Sequence, residues 1–347
     1  MPTTIESFSA ELWCEVFEFF DAVVLYLTFG NLNSRITSIL SQCTPLYLNV
    51  VTIKDYDMAL ETILPDVEYS ANIKSISFAQ EFQFEDFFAR CSCYTLQQLR
   101  CLSLFYLGDM GCDCTMEFLD ELAQLPSFES LRLRVGHMSY SDRHLRRLLQ
   151  LIFTEQQAFL SLKQFVLKCS NPRERISIPT TTMVKQTSLK SLILPSLYVE
   201  NCLEILPSIP HIKSMKIDRI CYESHVVQFS VFPCIISCSC THLDLNVEHY
   251  TNWTDIEYLL ERFPNLLQLR ITCDFILSNA QQWEALLQKQ CSRIRKFHIN
   301  FIRTYIVGNA VTYQDLQKSF STYFWLDRNV EIVQDIENCR LIVQFLK

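Results

Sequence analysis

The chain has 347 residues, and 30 lysines and arginines against 38 aspartates and glutamates leave a net charge of −8. With 49% hydrophobic and 20% charged residues it is too apolar to be disordered, and it is long enough for one large or two modest domains. The acidic balance argues against nonspecific nucleic-acid binding and against adsorption to anionic membrane. Five scattered glycines (Gly30, Gly108, Gly111, Gly136, Gly308) form neither GxGxxG nor GxxxxGK[ST], which excludes the glycine-rich nucleotide sites.

The longest uncharged stretch near the start, Ala22 to Ser34, has 13 residues, against ~20 apolar residues for a spanning helix. Arg35 is the only Lys or Arg before Lys54, so no basic region of a signal peptide is present. A cytoplasmic or nuclear location is expected, with the 16 cysteines reduced and acting mostly as small hydrophobes.

From the amino terminus, Leu12, Trp13, Val16, Phe17 and Phe20 trace a wide helical face, with Glu11, Glu15 and Glu18 opposite and Ser9 at the N-cap. A short apolar run, Val23 to Leu27, follows. Leu32, Ile36, Ile39 and Leu40 then mark a second amphipathic stretch. Three short helices in forty residues bury little surface alone, so a neighbour or partner is expected to cover them.

These residues resemble the F-box, which reads roughly Leu-Pro-x-Glu-(Leu/Ile)-x-x-x-(Ile/Leu)-(Phe/Leu)-x-x-Leu, then leucines and a third helix. Phe8 stands at the leucine, Glu11 at the glutamate with Leu12 beside it, Val16-Phe17 at the Ile-Phe pair, and Phe20 at the closing leucine. Leu25 and Leu27 fit the second helix, and Leu32 to Ile36 the third. Ser9 replaces the usual proline and Ile36 the usual tryptophan. The resemblance implies docking to the Skp adaptor of an SCF-type (Skp–cullin–F-box) ubiquitin ligase, with apolar anchors entering a partner's groove. The adaptor-binding candidates it marks are Phe8, Glu11, Leu12, Val16, Phe17, Phe20, Leu25, Leu32 and Ile36; some of these must form the small domain's own core.

The rest of the chain repeats apolar-x-x-apolar-x-apolar nine times. The matches start at Ile73, Leu99, Phe128, Leu162, Leu189, Ile212, Cys240, Leu266 and Ile294, between 23 and 34 residues apart. Between them lie helical stripes: Leu145, Leu148, Leu149 and Ile152; Ile256, Leu259, Leu260 and Phe263, opened by a Thr254/Glu257 capping box; and Trp283, Leu286, Leu287 and Cys291, after a cap at Ser278. Pro126 and Pro264 mark helix-to-strand corners. The stretch Ser170 to Ser188 shows no helical stripe, and an extended turn or exposed loop is expected there. A strand plus a helix at this period is that of leucine-rich repeats, whose units stack into a curved solenoid. A doubly wound α/β domain would need long apolar strands and glycine-bearing turns, neither of which is present.

The expected fold is therefore an α/β solenoid: a three-helix F-box-like domain (1–44), a connecting segment or first repeat (45–70), an irregular leucine-rich-repeat horseshoe with strands concave and helices convex (71–307), and a carboxy-terminal cap (308–347). In the cap, Tyr313, Leu316 and Phe320 suggest a helix, followed by Tyr323-Phe324-Trp325 and Leu341-Ile342-Val343.

Catalytic and metal signals are weak. Seven histidines give no HxxxH and no HExxH, and His242-Leu-Asp244 lacks a nucleophile at a defined spacing. Cys91-x-Cys93 with Cys112-x-Cys114, and Cys234, Cys238 and Cys240, miss the usual Cys-x₂₋₄-Cys zinc spacing. No cofactor, metal or catalytic residue is expected, and the chain reads as no enzyme. Strand-centre positions facing the concave side include Arg132, Val166, Ile193, Lys216, Asp244, Arg270 and His298, with Arg134 and Lys168 on the same strands. An aliphatic pair flanked by cations suits a target segment with an apolar residue beside acidic or phosphorylated groups. Two functions remain: a substrate receptor for an SCF-type E3 ligase, with an unknown protein target and no nucleic-acid or membrane partner, or a leucine-rich scaffold that never meets the ligase.

Overall fold

The computed structural model describes residues 8–30, 32–43, 45–65, 70–107, 113–136, 143–171, 175–176, 178, 186–221, 236–237, 239–248, 253–274, 277–302, 318–335 and 340–346. The chain forms two units, Met1–Ser170 and Asn171–Lys347, both of α/β character.

The first unit opens with three helices, α1 (Ala10–Phe17), α2 (Ala22–Phe29) and α3 (Ser34–Cys43). Short polar side chains start each of them. Ser9 Oγ accepts the Leu12 N–H at 3.3 Å, Asp21 Oδ1 that of Val24 at 2.9 Å, and Asn33 Oδ1 that of Ile36 at 2.9 Å. Such caps satisfy donors that have no partner within the helix. Trp13, Phe17 and Phe29 meet with ring centroids 5.3 to 5.6 Å apart and form the core between the helices.

Five parallel strands follow, in the order β1 (Leu46–Val50), β2 (Ile73–Phe78), β3 (Cys101–Leu107), β4 (Ser130–Val135) and β5 (Gln164–Cys169). Helix α4 (Ile53–Met58) continues as a π-helical turn, Ala59–Ile63, and α5 (Glu81–Arg90), α6 (Asp113–Leu122) and α7 (Arg143–Phe153) make the later crossovers. Strand β1 lies in the segment read from sequence as a connection or first repeat. It pairs with β2, Leu48 opposite Ile76.

The second unit runs β6 (Arg175–Ile176), β7 (Ser191–Tyr198), α8 (Val199–Ile205), β8 (Ser214–Cys221), β9 (His242–Val247), α9 (Trp253–Leu260), β10 (Gln268–Asp274), α10 (Ala280–Gln290), β11 (Lys296–Ile302), α11 (Tyr323–Leu326), β12 (Glu331–Asp335) and β13 (Arg340–Leu346). Strands β7 to β11 are parallel neighbours in sequence order, and β6 adds two residues beside β7. The direction then reverses: β13 pairs antiparallel with β11, and β12 with β13. In neither unit do the end strands meet to close a barrel.

All nine repeated matches end in a strand, and all 27 of their apolar side chains are buried, the most exposed being Ile294 at 6%. They stand in register. Ile76, Leu102, Leu131 and Phe165 are successive partners in the first unit, and Leu192, Met215, Leu243, Leu269, Phe297 and Phe345 in the second. A backbone ladder fixes this register where each strand begins. The Glu129 and Ser130 amides both donate to the Arg100 carbonyl, and those of Lys163 and Gln164 to Glu129. The second unit repeats the device at Lys190, Lys213, Thr241 and Leu267. The amides at the start of each strand thus find acceptors on the previous strand's approach.

Burial alternates along the strands, as in β4, β9, β10 and β11, so one sheet face is covered and the other carries polar side chains. Phe87 of α5 packs at a tilt on Phe78 of β2 at 4.9 Å, and Trp283 of α10 meets Phe297 of β11 edge-on at 5.9 Å. The helices cover the apolar face.

Several local expectations are corrected. Thr254 lies inside α9 rather than at its cap, because the helix already includes Trp253, which packs on Trp283 at 4.8 Å. Asn279, not Ser278, caps α10, its Oδ1 accepting from both the Gln281 and Gln282 amides. The helix expected around Tyr313 and Leu316 falls outside the described residues. Among the described residues no helix is long and apolar enough to cross a membrane.

Candidate functional site

The amino-terminal helices sort the F-box-like positions into two sets. Phe17, Leu25 and Ile36, expected among the adaptor contacts, are buried at 2% exposure or less and hold the three helices together. They are corrected from docking positions to core positions. Phe8 and Val16 are half-buried, and Phe8 leans on Trp13 at 6.1 Å. Glu11, Leu12, Phe20 and Leu32 are exposed. Sequence spacing missed three further exposed positions: Phe19 at 86%, Val24, and Leu27 at 64%.

Six of the 16 exposed large apolar side chains among the described residues thus fall between Leu12 and Leu32. Val24 and Leu27 share one face of α2, at i and i+3, and Leu12 and Phe19 lie seven residues apart on one side of α1 and its following turn. Glu11 sits beside Leu12 in the first turn of α1, where its own backbone amide and the Ser9 hydroxyl hold its carboxyl below the usual range. It stays charged at the rim of an apolar surface. The signal for Phe19 and Leu27 was in the sequence, as apolar residues off the core stripe, but only the packing of α2 shows which side is inside.

The second candidate is the open face of each sheet. In the first unit Ser77, Ser103, Arg132 and Val166 are register partners, and Phe105, Arg134 and Lys168 form the next row. Arg132 donates through Nη2 to Gln164 Oε1 at 2.9 Å, and Ser130 Oγ donates to the same oxygen at 2.9 Å. Arg132, Arg134 and Lys168 are exposed, whereas Val166 is buried to 8% and offers little surface.

In the second unit Ile193, Lys216, Asp244, Arg270, His298 and Gln344 are register partners in one row. The row is internally paired. Lys216 lies 3.6 Å from Asp244 and 3.5 Å from Asp218, so the basic lining expected around Lys216 is corrected to a neutralised one. His298 Nδ1 donates to Gln344 Oε1 at 3.1 Å, and Gln344 Nε2 donates to Glu331 at 2.8 Å. Burial, assisted by Arg270, holds His298 below its ordinary value against the opposing pull of Gln344 and Asp244. The His242–Asp244 pair is not a catalytic dyad: His242 Nδ1 meets Thr241 Oγ1 at 2.8 Å, and Asp244 is held by Lys216.

Beyond that row, Glu248 gathers the strand ends. It is paired with Arg219, lies 3.7 Å from Arg175, and takes a hydrogen bond from the Cys221 thiol. Arg175 also donates to Tyr198 Oη at 2.9 Å. Burial alone would push Glu248 up, but the thiol and the two arginines outweigh it and hold the carboxyl below its usual range. Its stabilising contribution is therefore complete above the unfolded carboxylate pKa of about 4.3 and is lost as pH falls through the lower folded value. Glu248→Gln is expected to cost about 2 kcal/mol at neutral pH, because it leaves two half-buried arginines with one carboxylate fewer. It should also flatten the acid limb of a urea-midpoint-against-pH curve; an unchanged acid limb would assign that pH dependence elsewhere.

Thiol chemistry has little support. Burial pushes the Cys91 thiol up to about 11 and Cys93 further, so both are protonated and weakly nucleophilic near neutral pH. Cys112, Cys234 and Cys238 lie outside the described residues, as does the side chain of Cys114, and among the described residues no group of three His, Cys, Asp or Glu side chains converges as a metal site. No protein-family model and no curated protein matches the chain, so the reading rests on its own geometry.

Proposed function

We propose that this chain is the substrate-recognition subunit of an SCF-type E3 ubiquitin ligase. Its F-box-like helices would dock to the Skp adaptor, and its strands would present the open face to a protein target. The observation that carries the reading is the exposure of Leu12, Val24 and Leu27 on the helices, and of Phe19, Phe20 and Leu32 on the turns between them, around a core closed by Trp13, Phe17, Leu25 and Ile36. A helical module with a filled core and a separate apolar outer surface is built to bind something. The finer architecture, a leucine-rich-repeat horseshoe with the open face concave, is supported by the in-register rungs, the repeated carbonyl ladder and the one-sided covering of the strands. A doubly wound sheet would be apolar on both faces.

On this reading the chain catalyses nothing itself. It positions a target in the cytoplasm or nucleus while the cullin-bound subunits carry out ubiquitin transfer. The test is capture of the chain from solution by purified Skp adaptor. Retention at micromolar concentration supports the reading, and its absence removes it. A second reading, a leucine-rich interaction scaffold without ligase association, is favoured by Ser9 and by the burial of Ile36 to 1%, where the F-box family carries proline and tryptophan. The same capture experiment decides between them.

A further inference from the structure

Two arginines of the second unit meet at a single carboxylate. Arg175 of β6, Ser196 of β7 and Arg219 of β8 are register partners in one row, so the two basic residues start from strands on either side of β7. Both side chains reach Glu248, which follows β9. Glu248 Oε1 accepts from Arg219 Nη2, while Arg175 Nη2 stays 3.7 Å from Oε2, too far for a hydrogen bond. Tyr198 Oη accepts from Arg175 Nη1 at 2.9 Å, and its ring centroid lies 5.0 Å from that guanidinium. Among the described residues these two oxygens are the hydrogen-bond acceptors of the two guanidinium groups. A guanidinium carries a fork of N–H donors, so in this cluster donors outnumber acceptors. The cluster is also open to solvent, the Arg175 and Arg219 side chains being 29% and 25% exposed.

We infer that Arg175 and Arg219 form an oxyanion site for a phosphoryl group, and that Glu248 competes with the ligand for their donors. Convergence selects the ligand. The arginines come from strands two ladder steps apart, about 10 Å, yet both heads arrive at one carboxyl group. The planar carboxylate engages Arg219 and leaves Arg175 short of contact, whereas a phosphoryl group points three acceptor oxygens in different directions and serves two forks at once. Its larger charge also gains more from two guanidinium groups that are partly withdrawn from water. The Cys221 thiol and the two arginines keep Glu248 ionised near neutral pH, so an incoming anion meets a like charge there. Glu248 thus sets the affinity: it holds the arginines together in the free protein and opposes the ligand when it arrives. The site belongs to the strand ends of the second unit and does not depend on the adaptor reading.

The test uses the full chain, inorganic phosphate, and a short fluorescein-labelled peptide, neutral but for one phosphoserine, read by fluorescence anisotropy at constant ionic strength. The phosphoserine peptide should bind about tenfold or more tightly than its serine counterpart and be displaced by millimolar phosphate. Arg219→Gln should cost about tenfold in affinity, and Glu248→Gln should raise it several-fold. Comparable affinities for phosphate and peptide assign the site to a free phosphorylated molecule; a much tighter peptide assigns it to a phosphorylated side chain of a protein. Folding is followed in the same variants. Phosphate should raise the urea midpoint of Glu248→Gln more than that of the Arg219→Gln, Glu248→Gln double variant, which carries the general salting effect of phosphate without the site. No binding of either probe, equal binding of the serine and phosphoserine peptides, indifference to Arg219→Gln, or weaker binding by Glu248→Gln would each overturn the inference. The last result would show Glu248 to be only a positioning residue for the arginines. Adaptor capture plays no part in any of these outcomes, so failure of the ligase reading leaves the site standing.

Discussion

Aspartate at both Leu12 and Leu27 is expected to abolish capture by the Skp adaptor while changing the stability of the chain by no more than about 0.5 kcal/mol. Both side chains are exposed, Leu27 at 64%, and surface substitutions away from caps and networks stay within that margin. At an apolar interface each lost anchor costs about 2–4 kcal/mol, so the pair should weaken binding about a thousandfold or more. Phe17→Ala gives the contrasting result. Phe17 is fully buried against Trp13 and Phe29, and its truncation should cost about 3–5 kcal/mol of stability. Adaptor capture would then fail through unfolding of the helices, which circular dichroism at the working temperature would reveal. Undiminished capture by the Leu12→Asp, Leu27→Asp chain would end the docking reading and leave the scaffold.

Phe297→Ala is the largest effect expected in the second unit, about 3–5 kcal/mol in urea unfolding. Phe297 is 1% exposed and stacks on Phe345 of β13 at 5.3 Å, with Trp283 and Trp325 each 5.9 Å away. It stands where the last parallel strand meets the antiparallel strands that end the sheet, so its loss strikes both the strand and its cover. If β12 and β13 cap the repeats, the variant should also expose the amides of β13 to hydrogen exchange well before those of β9. Uniform loss of protection over β9 to β13 would show instead that the unit unfolds as one, with no separable cap.

The repeat was legible because it is a property of spacing. Nine triplets of apolar residues at a near-constant interval can bury their side chains only by stacking, and β2 to β5 and β7 to β11 stand where those triplets lie. Strand β1 was passed over although Cys43-x-x-Leu46-x-Leu48 fits the same pattern; its register sets Leu48 and Val50, two residues further on, beside Ile76 and Phe78. Helix starts were read less well than strands. Asn279 and Ser278 are equally good caps on paper, and only the path of the chain chose between them. On the helical face, periodicity could mark apolar residues but not the direction in which they point: Leu25 and Leu27 look alike in sequence, yet one is buried and the other is among the most exposed side chains of α2.

By itself the sequence determined that the chain alternates strand and helix, that the strands of its nine repeats run parallel, and that a small helical segment precedes them, because hydrophobic period dictates secondary structure and which units can bury one another. Tertiary structure alone decided which apolar side chains of α1 to α3 remain outside and that Lys216 on its open face is met by two aspartates. Both depend on neighbours distant in the chain: Phe29 closing over Phe17, or Asp244 arriving beside Lys216 from the next strand. A side chain's exposure and its net local charge are sums over such neighbours, which residue spacing along a single segment does not contain.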